Sequence, residues 1–245
     1  MALINRQTLK NYFRKGGFAT EKHFVDLIDS SLNAVDDGIS IKPEYGFKLN
    51  PLNLSTRLIS FFKKNTQKEP NFSIDLDVNN INGLSFQNSE SKTILKFNDD
   101  GKVGVNTNHP AYDLDVNGTL GIKSKVGTFI KDTVPADGKW HTIIDNLDGL
   151  NGFEINATAK GKTGSGYYSI SHAIALSAFG GRFSRSKIRS TTAFYESYRN
   201  KIQYRWIGKI HDYKLEIRTR RNYGIDAENG EPFNIKFNII HLFSE

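Results

Sequence analysis

Between Gly101 and Gly127 the chain reads GKVGVNTNHPAYDLDVNGTLGIKSKVG, and this stretch rules out most ways of folding it. Glycine recurs too often here for a stable helix interior or for one long strand. What remains is strand, turn, strand. Val103 and Val105 flank Gly104, and Asn106 to Pro110 is built from turn formers, with His109 held extended by the proline after it. Leu114 and Val116 alternate with Asp113, Asp115 and Asn117, and Asn117-Gly118 predicts a two-residue hairpin. Residues 101–127 therefore read as a rigid strand-turn-strand connector with nothing equipped for chemistry.

The connector resembles a GKVGIGT-x-x-P-x-x-x-LDVNGT-type segment. That segment recurs in tail-fibre and adhesin-like proteins of bacteriophages and of phage-tail-like contractile injection systems, where it joins a shaft to a distal β domain. A second resemblance lies at the start of the chain. NRQTLKNYFRKGGFATEKHFVDLIDSSLN is similar to the LK-x-x-F-x-x-G-x-x-x-T-x-x-x-F-x-x-LIDS opening of such proteins, with Leu9, Phe13, Gly16, Thr20, Phe24, Leu27, Ile28, Asp29 and Ser30 matching. The resemblance implies a tail-fibre-like or baseplate-associated component that is homotrimeric and attaches to other particle proteins through residues 1–38. This chain is short for a long receptor-reaching fibre, so a cage, adaptor or decorating subunit with a purely assembly role is the alternative.

The residues of 1–38 carry a helical reading of their own. Leu9, Tyr12 and Phe13 share a helix face behind a capping Asn5, and Gly16-Gly17 ends that helix. Thr20 caps a second helix, with Glu21 in its first turn and a stripe of Phe24, Leu27, Ile28, Leu32 and Val35. Two short helices cannot bury both stripes by themselves. They pack on their own domain, or they form an assembly anchor of Leu9, Tyr12, Phe13, Phe24, Leu27, Ile28 and Leu32.

Residues 39–100 change period. Phe72, Ile74, Leu76 and Val78 alternate with polar residues, as in a half-buried strand, and Leu58–Phe62, Leu84–Phe86, Thr93–Phe97 and Val103–Val105 continue the series. DLDVN occurs at Asp75–Asn79 and again at Asp113–Asn117, an echo consistent with a repetitive β shaft. Short strands with small loops cannot close a core within one thin chain. An intertwined trimeric shaft is expected, with a self-contained small sheet as the simpler reading. From residue 128 onward strands are predicted at Trp140–Ile144, Phe153–Ala159, Tyr167–Phe179, Lys201–Ile207, Tyr213–Arg220 and Phe233–Phe243. Glycine-rich turns separate them, including Asn229-Gly230. The fold class is thus mainly β: a short N-terminal helical hairpin (1–38), a β-rich shaft (39–100), the connector (101–127) and a C-terminal antiparallel β-sandwich, jelly-roll-like, over 128–245.

Charge is unevenly placed. Residues 181–221 hold twelve Lys/Arg against three Asp/Glu, more than the whole-chain excess of +7. Alternation puts Trp206 inward with Ile202 and Tyr204, leaving basic side chains on the other faces. Arg182, Arg185, Lys187, Arg189, Lys201, Arg205, Lys214, Arg218, Arg220 and Arg221 form either a subunit contact face or an anionic-ligand face for acidic glycan, lipopolysaccharide phosphate or, least expected, nucleic acid. Tyr195, Tyr198, Tyr223 and Trp206 offer rings for stacking. A cell-surface glycan would be met by the loops Gly161–Gly166, Gly180–Arg185 and Arg221–Asn229.

No catalytic residues, metal or cofactor are expected. Cysteine is absent, which excludes disulfides and thiolate metal sites. Asp113-x-Asp115-x-Asn117-Gly118 copies the start of an EF-hand loop, but Ser124 stands where the bidentate carboxylate belongs. Gly161-Lys162-Thr163 mimics the end of a P-loop, but Asn156 stands where its first glycine should be and no helix follows. The six histidines include no close metal pair, and His172 and His241 read as core histidines among apolar residues. No Gly-x-Ser-x-Gly elbow is present. MALINRQTLKNYFRKGG lacks an apolar core and no long apolar run occurs. A protein without signal peptide or membrane span is expected, made in the cytoplasm and carried outside in a virion-like particle.

Overall fold

The computed structural model describes residues 4–33, 36–78, 82–228 and 230–243. Val35 of the predicted helical stripe, Asn79 of the first DLDVN copy and Asn229 of the last turn lie outside them. The chain divides into two compact units, 1–121 and 122–245.

The first unit opens with two helices, α1 (Arg6–Tyr12) and α2 (Glu21–Asp29). Asn5 caps α1 by accepting from the Thr8 amide at 2.9 Å, and the Thr20 amide at the start of α2 donates to His23 Nδ1 at 3.3 Å. Tyr12 stacks on His23 at 4.0 Å and Phe13 meets Phe24 edge-on at 5.6 Å. Neither helix has a buried residue. A hairpin follows, β1 (Ile39–Lys42) against β2 (Gly46–Leu49).

Six short strands then form one sheet in chain order: β3 (Arg57–Phe61), β4 (Phe72–Leu76), β5 (Leu84–Asn88), β6 (Thr93–Phe97), β7 (Val103–Val105) and β8 (Leu114–Val116). Neighbours are antiparallel except β7 and β8, which run parallel. The connector is therefore not separate from the shaft, because its two strands complete the sheet. Nor does Asn117-Gly118 turn a hairpin. The Asn117 side chain donates to the Asn106 carbonyl at 3.3 Å and the Gly118 amide to Val116 at 3.0 Å, which closes the end of β8 instead. The two DLDVN copies play different parts. Asp75 lies buried in β4 and Asp77 turns out of it at φ 51°, whereas Leu114–Val116 is an edge strand.

The second unit is a sandwich of eight strands: β9 (Ile130–Pro135), β10 (His141–Leu147), β11 (Leu150–Lys160), β12 (Tyr168–Ala178), β13 (Lys187–Phe194), β14 (Ile202–Lys209), β15 (Asp212–Thr219) and β16 (Asn234–His241). One sheet is ordered β13-β12-β11-β16-β9 and the other β10-β15-β14, all antiparallel. The chain crosses between sheets after β9, β10, β13 and β15, and β16 inserts between β9 and β11. Phe153 and Ile155 of β11, Ala173 and Ala175 of β12 and Ile235, Phe237 and Ile239 of β16 face Ile143 of β10, Ile202 of β14 and Tyr213, Leu215 and Ile217 of β15 in one core. Fully burying each large aliphatic side chain contributes about 1.5–3 kcal/mol. All six predicted strands of this unit are present. β9 and β13 were not expected, because IKDTVP and KIRSTTAF are charged or polar edge strands without a clean apolar alternation.

Candidate functional site

In the six-stranded sheet, cross-strand register lines up two kinds of face. One carries the rows Ser60–Ser73–Gln87–Thr93 and Arg57–Asp75–Ser85–Lys96–Gly104–Asp115. The other carries Phe61–Phe72, Ile59–Ile74–Phe86–Leu95–Val105–Val116 and Leu76–Leu84–Phe97–Val103–Leu114. A bulge at Ile94 keeps Lys96 on the polar side and Leu95 on the apolar side. The half-buried strand expected at residues 72–78 is present with its faces reversed. Ser73 and Asp75 are 1% and 3% exposed, while Phe72 is 52% exposed. Asp75 is held by the Ser73 hydroxyl and by Arg57 Nε at 3.4 Å, and the crossover after β7 sits on the polar face, where Thr107 packs against Gly104. The apolar rows remain half-buried or exposed, and they carry no charge.

The predicted anchor residues Leu9, Tyr12, Phe13, Phe24, Leu27, Ile28 and Leu32 lie on or beside the two helices, touching through the ring pairs already described. Ile28 and Leu32 are 66% and 79% exposed.

The basic residues are not brought onto one face. The chain changes sheets between β13 and β14, so Lys187 and Arg189 lie on the outer face of the large sheet and Arg205, Lys214 and Arg218 on that of the small one. Arg182 and Arg185 sit in the turn after β12, at the end of the sandwich opposite Lys201, Arg220 and Arg221. The whole excess of charge nevertheless belongs to this unit, with 19 Lys/Arg against 12 Asp/Glu in 122–245 and 14 against 14 in 1–121. Part of it is neutralised internally. Glu216 is nearly buried, which alone would raise its carboxyl pKa, but the bonds from Arg205 at 2.7 Å and Lys214 at 3.3 Å outweigh this and hold it below the usual range.

At the end of the sandwich where β12, β14 and β16 begin, rings and cations alternate. The Arg205 and Arg218 guanidiniums each lie 4.3 Å from the Trp140 ring centre, Arg221 lies 4.3 Å over Tyr167 and Arg220 4.6 Å over Tyr198. Arg221 also donates to the Tyr167 hydroxyl at 2.8 Å. Beneath them a 3-10 turn, Tyr198–Asn200, is locked by the fully buried Asn200, whose amide donates to the Gly166 and Tyr195 carbonyls at 3.0 and 2.8 Å. Tyr223 donates to the Asn200 carbonyl at 2.6 Å, and its burial raises the phenol pKa. Of the rings nominated from sequence, Tyr223 is buried and Trp206 packs on Phe153 and Tyr213, whereas Tyr195 and Tyr198 are 63% and 54% exposed. Trp140 was missed as a partner of arginine because its neighbours are far away in sequence.

Two of the predicted contact loops, Gly161–Gly166 and the described part of 221–229, meet at this same end. They border a cleft of about 720 Å³ with Lys160, Lys162 and Lys236 on its walls beside Asp226 and Glu228. Gly180–Arg185 is at the other end, beside a groove of about 860 Å³ that includes Leu150, Leu176, Arg185 and Phe243. The two histidines expected in the core part ways. His172 is on the outer face of the large sheet, where its Nε2 meets Glu154 at 3.0 Å, and is not in the core. His241 packs on Phe129 and on Phe153, its partner in register on β11, at 5.1 and 5.2 Å. Glu154 also accepts from Lys125 at 2.5 Å, the main cause that holds its carboxyl pKa low.

Among the described residues no helix is long and apolar enough to cross a membrane. No family model matches the chain, and no curated protein matches it.

Proposed function

We propose that this protein is a non-enzymatic structural component of a phage tail or phage-tail-like contractile injection particle, tail-fibre or baseplate-associated, working as a homotrimer. The observation that carries this reading is the uncharged apolar face of the six-stranded sheet, left open in a single chain while the polar face is covered. Exposed apolar rows of this kind call for an equally apolar partner, and the same face on other copies is one. Aromatic side chains bury about 150–250 Å² each, so the half-covered rings of Phe61, Phe72, Phe86 and Phe97 alone would add roughly 300–500 Å². With the aliphatic rows beside them, this approaches the roughly 800 Å² per partner of a stable interface. The helices of residues 1–38, without a buried residue, serve as the attachment to other particle proteins.

Light scattering tests the self-association. A mass three times that of the 27.6 kDa chain is expected, falling to one chain when Phe72→Asp and Phe97→Asp are combined. A single-chain mass for the unsubstituted protein at every concentration overturns it. Deleting residues 1–38 tests the attachment, which fails if the shortened protein still joins purified particles at normal occupancy. A purely assembly role as cage, adaptor or decorating subunit is favoured by the scattering of basic residues over two outer faces.

A further inference from the structure

We infer that the end of the sandwich where β11, β13 and β15 begin docks on an anionic lipid bilayer, its apolar turn residues entering the headgroup layer and its arginines meeting lipid phosphates. This goes beyond the assembly reading and does not depend on how the first unit associates. Leu150, Phe179, Phe183, Ile210 and Phe243 all lie at this end, on four separate stretches of chain, and are 43–85% exposed. Single exposed apolar residues are ordinary, but a group of them at one end of a domain marks a protein or membrane contact. The cations beside them are Arg182 and Arg185 in the turn after β12, with Lys187 opening β13 and Lys209 closing β14. Among the described residues no carboxylate lies within ion-pair distance of these four. The acids of these turns are Asp148, which His211 Nδ1 meets at 2.7 Å, and Asp212, opposite Lys209 in register.

The turns form one platform and not a set of separate tips. The Phe179 amide donates to the Gly149 carbonyl at 2.7 Å and the His211 amide to the Phe179 carbonyl at 3.1 Å, which joins the turns after β10, β12 and β14. Phe179 and His211 hold left-handed backbone within this network, at φ 62° and 65°. A Cβ on Gly181 would lie 2.6 Å from Ile210, so one turn rests on the next. Ser184 and Ser186, on either side of Arg185, are bonded to each other at 2.6 Å, and Ser186 is bonded to Ser177 at 2.6 Å. Ser177 and Arg185 line the same groove as Leu150, Leu176 and Phe243. Turns fixed before contact lose little freedom on docking. A second copy suits the patch less well, since the same face on it would set like charges against each other. A bilayer supplies an apolar layer and a plane of fixed phosphates together.

The test is co-sedimentation of the full chain at physiological salt with vesicles of phosphatidylcholine alone and of phosphatidylcholine mixed with phosphatidylglycerol. Binding to the mixed vesicles is expected, at least about tenfold tighter than to the neutral ones and weaker as salt rises. In a Leu150→Asp/Phe183→Asp variant the affinity for mixed vesicles should fall at least about tenfold, with the thermal midpoint and light-scattering mass unchanged. An Arg182→Ala/Arg185→Ala variant should fall toward the neutral-vesicle level. Ile225→Asp, at the opposite end of the sandwich, should stay within about twofold of the parent. No binding to mixed vesicles, equal binding to neutral ones, no loss in either double variant, or an equal loss in Ile225→Asp each overturns the proposal. So does a drop in light-scattering mass in the Leu150→Asp/Phe183→Asp variant, which would assign the patch to a second copy.

Discussion

Arg205 of β14 and Glu216 of β15 stand directly opposite each other, and the carboxylate accepts from the guanidinium at 2.7 Å while that same guanidinium stacks on Trp140. The pair sits over the outer face of the small sheet, with the glutamate side chain 7% exposed. Glu216→Gln should destabilise the protein by about 1–3 kcal/mol at neutral pH, the usual worth of a hydrogen-bonded charge. Because the folded-state pKa is depressed, this stabilisation is present above the ordinary glutamate value of about 4.3 and is lost as pH falls through the lower folded value. Thermal melts of parent and variant should therefore differ at neutral pH and converge at acid pH, once the folded-state carboxylate is protonated.

Asn200→Ala should cost about 1–3 kcal/mol in denaturant unfolding, because it leaves the Gly166 carbonyl without this donor, whereas the Tyr195 carbonyl still accepts from the Ser197 amide at 2.9 Å. Removing Tyr223's hydroxyl with Tyr223→Phe should cost less, about 1 kcal/mol, because only the bond to the Asn200 carbonyl is lost.

Gly127 is required by contact. A Cβ there would lie 2.4 Å from the Ile239 carbonyl oxygen, and its amide donates to Asn238 Oδ1 at 3.0 Å. Gly127→Ala should lower stability by about 1–3 kcal/mol through this overlap. Hydrogen exchange should show faster amide exchange at Gly127 and Phe129, whose amide donates to Ile239. Unchanged exchange would contradict the packing argument.

Ile155→Ala and Phe72→Asp make a contrasting pair. Ile155 is fully buried in the sandwich and its truncation should cost about 2–5 kcal/mol, read as a lower denaturant midpoint. Phe72, half exposed on the open sheet face, should cost a single chain little when changed to Asp, while weakening self-association measured by sedimentation.

Much of the strand inventory was legible because period-two alternation and glycine-rich turns are local signals. Tyr213, Leu215 and Ile217 share a face in sequence and lie together in the core, and Ile202 and Trp206 behave likewise. The helical hairpin was equally readable from Asn5, Thr20 and the ring spacing. β13 was hidden, since its pattern of Lys187, Arg189, Ser190 and Thr191 suits a polar edge and only pairing with β12 makes it a strand. His172 was misplaced for a related reason, as it shares its face with Ile170, Ile174 and Leu176, and that bulkier face is the exposed one while Ser171, Ala173 and Ala175 point inward.

The order of residues by itself determined most of the strands, which of their side chains share a face, and that the positive charge collects late in the chain. Alternation names two faces but cannot say which one is covered, so only the tertiary structure decided that β4 hides Ser73 and Asp75 and leaves Phe72 open. Nor could spacing reveal that a cluster contiguous in residues 181–221 would be divided between two sheets, or that Trp140 would meet Arg205 and Arg218. Those outcomes depend on long-range strand pairing, in which the partner is chosen by the fit of whole faces and not by any neighbour along the backbone.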